Sequence, residues 1–160
     1  MNIRKYLSSD LSELIAMFYN TVHTVNAADY TEEQLDAWTS NLNAEKWGSS
    51  LAEHYSLVAV DSGKIVGFGD IDLERAYLDR LYTHSDYQGM GIASAICCRL
   101  EEQCPHRTIV THASITARRF FENRGYHTVA KQSVERAGVF LTNYIMEKPP
   151  GDICQINPSS

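Results

Sequence analysis

The sequence predicts an α/β fold, in which a mixed, mostly antiparallel β-sheet is flanked by helices and contains a central βαβ step. Two hairpin patterns support the antiparallel part, because apolar runs surround short turns at Ser62-Gly63 and Ala137-Gly138. Between the hairpins, a strand, an amphipathic helix and another strand follow one another, which is the order of a parallel βαβ pair. The second hairpin completes the sheet at its C-terminal end.

The first fifty residues predict one short strand and three helices. Residues 2–6 form the strand, and Ser9 is the expected N-cap of a helix whose apolar residues recur at helical spacing. Thr31 and Gln34 form a capping-box pattern that begins the second helix. Residues 43–54 form the third, shorter helix.

The remaining elements are mostly strands. They are strands at 55–60, 64–69 and 76–83, a helix at 91–103, a strand at 107–112, a helix at 114–123, and strands at 126–135 and 139–147. Two strands that diverge at the centre of such a sheet leave a cleft between them. We expect residues 1–148 to form a single domain and residues 149–160 to form a flexible tail.

Composition narrows the possible partners. The net charge of −6 argues against nucleic acid, whose phosphates need clustered Lys and Arg, and is more compatible with a cationic or neutral small substrate. The N-terminus lacks the apolar segment of a secretory signal, and the longest apolar run near it is too short to span a bilayer. We therefore expect a cytoplasmic protein without a membrane partner. The four cysteines show no metal-binding spacing, so no metal is expected.

One loop carries a chemical signal. The strand at 76–83 leads into a turn with Gly89 and Gly91, after which an amphipathic helix begins. Glycines allow a ligand to approach the backbone closely, and the free N–H groups of a helix N-terminus attract phosphate. The loop lacks the Gly-Lys-Ser/Thr of a Walker motif and the third glycine of G-x-G-x-x-G. A glycine turn with no ligand is the structural alternative.

Two motifs give the chain a family resemblance. Gln88-x-x-Gly91-x-Ala93 resembles the Q/R-x-x-G-x-G/A signature of GNAT acetyltransferases. The segment 114–126, SITARRFFENRGY, resembles the second motif of that family, N-x-x-A-x-x-F-Y-E-x-x-G-F. The resemblance covers about residues 2–147, and parts of the sequence look similar to a YafP-like branch of the family.

The resemblance implies that acetyl-coenzyme A is the co-substrate and that its acetyl group passes to a primary amine of a small molecule or peptide by direct attack. Main-chain N–H groups of the glycine loop would hold the pyrophosphate, and the pantetheine arm would pair with the preceding strand. The implied cofactor contacts are Leu81, Tyr82, Thr83, Gln88, Gly89, Met90, Gly91, Ile92, Ala93, Ser94, Ser114 and Phe121.

The main departure from the family is Phe121, because many relatives have there a tyrosine that protonates the leaving thiolate. Three tyrosines are candidate replacement acids: Tyr82, Tyr126 and Tyr144. The candidate bases are Asp79, Glu74 and His112, each acting directly or through a water. The structural alternatives are an ion pair for Asp79, a solvated side chain for Glu74, a strand end for His112 and sheet packing for the tyrosines.

The sequence leaves other questions open. The family places its N-terminal helices beside the acceptor cleft, where Tyr30, Trp38 and Trp47 could shape an apolar site. A catalytically silent acyl-coenzyme A sensor or interaction domain is the alternative function, and an unrelated nucleotide-binding domain is a third. The C-terminal hairpin could serve a homodimer.

Overall fold

The computed structural model describes residues 1–151, which form one seven-stranded sheet with helices on both faces. The strands are β1 (Asn2–Lys5), β2 (Tyr55–Asp61), β3 (Lys64–Asp72), β4 (Tyr77–Thr83), β5 (Ile109–Ser114), β6 (His127–Arg136) and β7 (Val139–Lys148). The helices are α1 (Leu11–Thr24), α2 (Glu32–Ser40), α3 (Ala44–Glu53), α4 (Ile92–Glu101) and α5 (Arg118–Glu122). Short 3₁₀ turns cover Ser8–Asp10, Asn26–Ala28 and Ser85–Tyr87.

The sheet confirms the predicted fold class. Its strand order is β1-β2-β3-β4-β5-β7-β6, and all neighbours are antiparallel except β4 and β5, which α4 connects as a βαβ unit. Both hairpins turn through two residues at positive φ, Ser62 (51°) with Gly63 (79°) and Ala137 (49°) with Gly138 (79°). Two consecutive left-handed residues match the right-handed twist of the flanking strands, so these short turns fix the strand register.

Each face of the sheet has its own apolar core. The N-terminal helices cover one face, where Leu14, Phe18 and Phe68 are buried. On the other face, α4 lies so close to β3 that a Cβ built at Gly67 would be 2.7 Å from an Ile92 methyl carbon. Glycine at this position therefore lets the helix that follows the glycine loop pack directly on the sheet.

The N-terminal helices begin partly as predicted. Thr31 Oγ1 accepts from Gln34 N at 3.2 Å and Gln34 Oε1 accepts from Thr31 N at 2.9 Å, which confirms the capping box. The prediction for Ser9 is wrong, because it lies in a 3₁₀ turn before α1. The Asp10 carboxylate accepts from Leu7 N at 2.8 Å and fixes this turn instead.

The segment after β5 also differs from the prediction. The strand continues to Ser114, which pairs with Asn143 of β7, so the helix cannot begin there. Instead Ser114 Oγ accepts from Ala117 N at 3.0 Å in a turn, and α5 begins only at Arg118. Strand pairing thus overrides a local helical pattern.

The central strands diverge, as the strand order suggested. β4 and β5 pair only at Tyr77 with Val110 and Leu78 with Thr111. Directly after these pairs, a bulge leaves Asp79 without a partner on β3, since Leu78 pairs with Ile71 and Arg80 with Asp70. A bulge bends its strand and redirects a side chain. The C-terminal half of β4 is therefore separated from β5, and a gap opens between them.

Two expectations concern the C-terminal end of the chain, where the structure describes residues only as far as 151. The domain boundary at 148 coincides with the end of β7 and stays a prediction, and most of the predicted tail, residues 152–160, lies outside the described residues. Within residues 1–151, none of the helices combines the length and apolar character needed to cross a membrane. Cys97 and Cys104 are buried and free, while Cys154 lies outside that range.

Candidate active site

A cavity of about 340 Å³ opens where β4 and β5 diverge. Its walls come from α1, α2, α3, the two central strands and the β6–β7 hairpin. A smaller cavity of about 70 Å³ lies between β4 and β5 and reaches Phe121. The two cavities share the lining residues Trp38, Asp79, Tyr82, His112 and Ser114. Such concave, partly aromatic spaces are the usual form of a small-molecule site.

The glycine loop forms an exposed cradle at the start of α4. Gly89 and Gly91 have positive φ angles of 73° and 79°, and a Cβ built at either would meet nothing within 4 Å. The first hydrogen bond of the helix runs from Ala95 N to Gly91 O at 3.0 Å. The N–H groups of Ile92, Ala93 and Ser94 precede it and are left for an external acceptor. Free N–H groups and open space at a helix N-terminus are suited to a phosphate group.

Two side chains of the loop have opposite surroundings. Gln88 Nε2 donates to Thr83 O at 2.7 Å, so this side chain ties the loop back to the end of β4. Met90 is 66% exposed and lies outside both cavities. These positions therefore differ in what they offer a ligand: Gln88 holds the backbone in place, and Met90 presents a main-chain N–H group.

The other predicted cofactor contacts lie along the gap. Leu81 and Tyr82 line the small cavity, while Thr83 is buried and its Oγ1 has no hydrogen-bond partner among the described residues. Since β4 no longer pairs with β5 beyond Leu78, this edge of the strand is open to an extended ligand. Phe121 is buried across the gap, with its ring centroid 5.0 Å from that of Tyr126.

Asp79 is the candidate base that the bulge directs into both cavities. Its Oδ2 lies 3.4 Å from Arg80 Nη1 and 3.9 Å from His54 Nδ1. Burial raises the pKa of Asp79, with a further increase from the charge of Asp70, while Arg80 and His54 oppose the shift. A carboxyl group with a raised pKa is a better proton acceptor than an ordinary surface carboxylate.

A hydrogen-bonded cluster supports Asp79 from behind. Asp70 is fully buried, and its Oδ2 accepts from Arg80 Nη1 at 2.6 Å and contacts His54 Nδ1 at 2.7 Å. The hydrogen bond to Asp70 raises the pKa of His54, although burial opposes it. His54, Asp70 and Asp79 could offer ligand atoms within 4.8 Å of one another to a metal. The Arg80 guanidinium, however, already supplies positive charge to both carboxylates.

His112 is the second candidate base that reaches the cavities. Its ring meets Tyr77 edge-on at a centroid distance of 5.2 Å, and its Nδ1 is 3.4 Å from Gln132 Nε2. Desolvation lowers the pKa of His112, so its imidazole is neutral at pH 7 and can accept a proton. Glu74 does not join this group: it is exposed in the turn before β4, whereas the gap opens after Leu78.

The three candidate tyrosines are in different places. Tyr82 lines both cavities, and burial raises its pKa, so its hydroxyl remains protonated. Tyr126 is buried outside the cavities, where its hydroxyl donates to Glu101 Oε2 at 2.8 Å beneath α4. Tyr144 does not line them either, and the Arg118 guanidinium covers its ring at 4.2 Å. The structure thus brings Tyr82 to Asp79 and His112, but not the other two.

The N-terminal aromatic residues line the large cavity, as the sequence suggested for Tyr30, Trp38 and Trp47. Tyr30 also has a structural role, since its hydroxyl donates to Thr142 O at 2.7 Å and accepts from Ile115 N at 2.8 Å. These bonds attach the helical side of the cavity to the C-terminal hairpin.

Among the residues of this site that the sequence did not indicate are His54, Asp70, Tyr77, Arg80 and Arg136. Strand alternation gives no signal for Arg80, because the bulge brings Asp79 and Arg80, which are consecutive on β4, to the same cavity. The sequence offered only one hint, the Asp-Arg pair at 79–80, which is adjacent to the signature loop.

Comparisons with known proteins agree with this geometry. The family model described as "Acetyltransferase (GNAT) domain" matches residues 26–148. The uncharacterized N-acetyltransferase YafP of Escherichia coli K12 is 33% identical over 150 residues, covering 94% of this chain and 97% of YafP.

Solved structures show the same fold. A GCN5-related N-acetyltransferase from Rhodopseudomonas palustris superposes with a TM-score of 0.87 at 30% identity, covering 92% of this chain and 94% of that one. The PaiA N-acetyltransferase from Thermoplasma acidophilum, solved in complex with coenzyme A, has a TM-score of 0.74 at 19% identity, covering 92% and 98% of the two chains. The chain therefore belongs to the GNAT family of N-acetyltransferases, enzymes whose co-substrate is acetyl-coenzyme A.

Proposed function

We propose that this protein transfers an acetyl group from acetyl-coenzyme A to a primary amine of a small molecule or peptide, by direct attack of the amine. The observation that carries the proposal is the gap between β4 and β5. It lies between the glycine cradle at one end and the 340 Å³ cavity at the other, and Asp79 reaches into it. Three features thus lie along β4 and the loop after it. They are the candidate base Asp79, the open strand edge, which suits an extended arm, and the glycine cradle, which suits a phosphate group.

Residues of this chain fit the co-substrate, which supplies an activated acetyl thioester. The main-chain N–H groups of residues 88–94 would hold its pyrophosphate, as the open space around Gly89 and Gly91 favours. The free edge of β4 at 81–83 would pair with its pantetheine arm. Ser114 and Phe121 would lie on the opposite side of this arm.

Catalysis then needs alignment of the amine with the thioester, a group that accepts the proton of the amine and a group that protonates the leaving thiolate. Asp79 accepts a proton from the amine, directly or through a water, and His112 is the second candidate for this role. A main-chain N–H near Tyr82 polarises the carbonyl oxygen. The Tyr82 hydroxyl, which belongs to a residue lining both cavities, is the candidate proton donor to the leaving thiolate, a role that Phe121 cannot fill.

A second candidate function is a catalytically silent acyl-coenzyme A sensor, and Phe121 is the observation that favours it. Product analysis separates the two functions. The protein is incubated with acetyl-coenzyme A and a panel of amines, and mass spectrometry then examines both the amines and the protein. An N-acetylated amine with no acetylated protein supports direct transfer. A stable acetyl-protein would contradict direct attack, and bound cofactor without any acetylated amine would support the sensor.

We further propose a cytoplasmic location and a homodimer that forms through the C-terminal hairpin. In support of the dimer, β6 is an edge strand, and Val129 and Phe140 on this hairpin are 54% and 61% exposed. Light scattering of the protein and of a Phe140→Ser variant tests the assembly. A monomeric wild-type protein would contradict the dimer, and cell fractionation tests the location.

A further inference from the structure

The charges that line the large cavity differ from those of the whole chain. The chain carries a net charge of −6, but the lining contains one carboxylate, Asp79, and two guanidinium groups, Arg80 and Arg136. Arg80 Nη1 lies 2.6 Å from Asp70 Oδ2, which neutralises its charge, and 3.4 Å from Asp79 Oδ2. With Arg80 paired to Asp70, one negative group, Asp79, and one positive group, Arg136, remain on the lining, in contrast to the net negative charge of the chain.

Arg136 is the positive group of this pair. Among residues 1–151, no carboxylate lies within 4.0 Å of its guanidinium nitrogens, and its hydrogen bond goes to the adjacent Glu135 carbonyl oxygen at 3.4 Å. It is exposed at the end of β6, beside the hairpin turn, and is one of the residues that line the cavity. A guanidinium group presents several donors in a planar fork that matches a carboxylate, so an unpaired one in a binding cavity favours an anionic group.

The negative charge of Asp79 lies on a different wall of the same cavity. Asp79 comes from the bulge of β4, and two strands, β5 and β7, separate β4 from β6 in the sheet. Tyr77 also lines the cavity and is influenced by both charges: burial raises the pKa of its hydroxyl, Asp79 raises it further and Arg136 lowers it. One carboxylate and one guanidinium on different walls complement a ligand that carries an ammonium and a carboxylate group.

The remaining lining residues indicate the size and the apolar character of the rest of the ligand. Six aromatic residues are among those that line the cavity: Phe18, Tyr30, Trp38, Trp47, Tyr77 and Tyr82. A volume of about 340 Å³ is at the lower end for small-molecule sites, which suits one small molecule with an apolar part. Asn143 Oδ1 also lines the cavity, is buried and has no partner among the described residues, so it is free to accept an N–H bond.

We propose that the acceptor is a free amino acid with a large apolar or aromatic side chain, whose amine lies at Asp79 and whose carboxylate binds Arg136. The inference rests on the proposed function, since it names the acceptor of the same site. It also reverses the expectation from net charge, because a polyamine would meet an unpaired guanidinium at the position where the amino acid places its carboxylate.

Matched ligands test the inference by binding, so that the answer does not depend on turnover. Calorimetry in the presence of coenzyme A compares phenylalanine, tryptophan and leucine with their decarboxylated amines and with their amides. We expect at least one amino acid to bind about tenfold or more tightly than its two partners, as a charge-assisted hydrogen bond provides. Arg136→Gln should abolish this difference. Lys131→Gln, which removes a positive charge from the same strand outside the cavity, should preserve it.

Thiol release from acetyl-coenzyme A gives the second readout. Arg136→Gln should lower kcat/KM for the amino acid much more than kcat/KM for the decarboxylated amine. Three results would overturn the inference. They are equal affinity for all three ligand types, no binding of any amino acid, and an equal loss of kcat/KM for the acid and the amine in Arg136→Gln. Acetylation of decarboxylated amines alone would refute it while leaving the proposed function intact. Arg136-dependent binding of an amino acid without its acetylation would instead contradict the proposed function.

Discussion

Gly91→Ala tests the phosphate cradle through a single methyl group. Gly91 has a φ of 79° and precedes the first turn of α4, and a Cβ at this position would meet no atom within 4 Å. The substitution therefore causes no clash in the free protein, and its cost is the left-handed backbone alone, about 1–2 kcal/mol. In the complex, the methyl group would enter open space that the bound phosphate needs. We expect the Kd for acetyl-coenzyme A to rise about tenfold or more, which corresponds to about 1.4 kcal/mol.

Gly63→Ala is the matched control for this experiment. Gly63 also has a φ of 79°, and its Cβ position is equally empty, but it lies in the β2–β3 hairpin turn. Urea denaturation should give similar losses of unfolding free energy for the two variants. Calorimetry with acetyl-coenzyme A should show weaker binding for Gly91→Ala alone. If both variants bound acetyl-coenzyme A like the wild type, the loop would not be the phosphate site.

Three further substitutions separate catalytic from structural roles. Asp79→Asn should lower kcat about 100-fold or more and remove the loss of activity as the pH falls through the raised pKa of Asp79. Because burial disfavours this ionised carboxylate, urea denaturation at pH 7 should find the variant no less stable than wild type. His54→Gln should destabilise most below the ordinary pKa of 6.5, because the hydrogen bond to Asp70 raises the His54 pKa and this stabilisation is lost as the pH rises through the folded value. Denaturation at acid and alkaline pH checks the difference, and an equal loss at both would contradict it. Tyr126→Phe should cost about 1–3 kcal/mol by urea denaturation because Glu101 loses a donor, while thiol release is unchanged; a large loss of kcat would return Tyr126 to the catalytic candidates.

Local signals predicted much of the fold. The Thr31–Gln34 capping box, the turns at Gly63 and Gly138 and the glycine loop each depend on neighbours in the sequence, and the structure contains all of them. The prediction for Ser9 was wrong because a neighbouring side chain takes the role: the Asp10 carboxylate accepts from Leu7 N and twice from Arg4 of β1, and so fixes the turn.

The chemistry of the site depended on contacts between distant segments. The bulge at Asp79 exists only in the register of β4 against β3, and no single-strand pattern reveals it. His54 reaches Asp70 because it directly precedes β2, whose Ser56 pairs with Asp70 of β3. Arg136 lines the cavity because the β6–β7 hairpin forms part of its wall. The order of motifs indicated where the co-substrate would bind, but the acceptor side required the assembled sheet.

The most direct test of acetyl transfer follows free thiol during incubation of the protein with acetyl-coenzyme A and a panel of amines, amino acids and short peptides. We expect amine-dependent thiol release that Asp79→Asn strongly reduces, and a higher melting temperature of the protein with acetyl-coenzyme A. Absence of thiol release with every amine, together with a melting temperature that acetyl-coenzyme A does not change, would contradict both the co-substrate site and the proposed reaction.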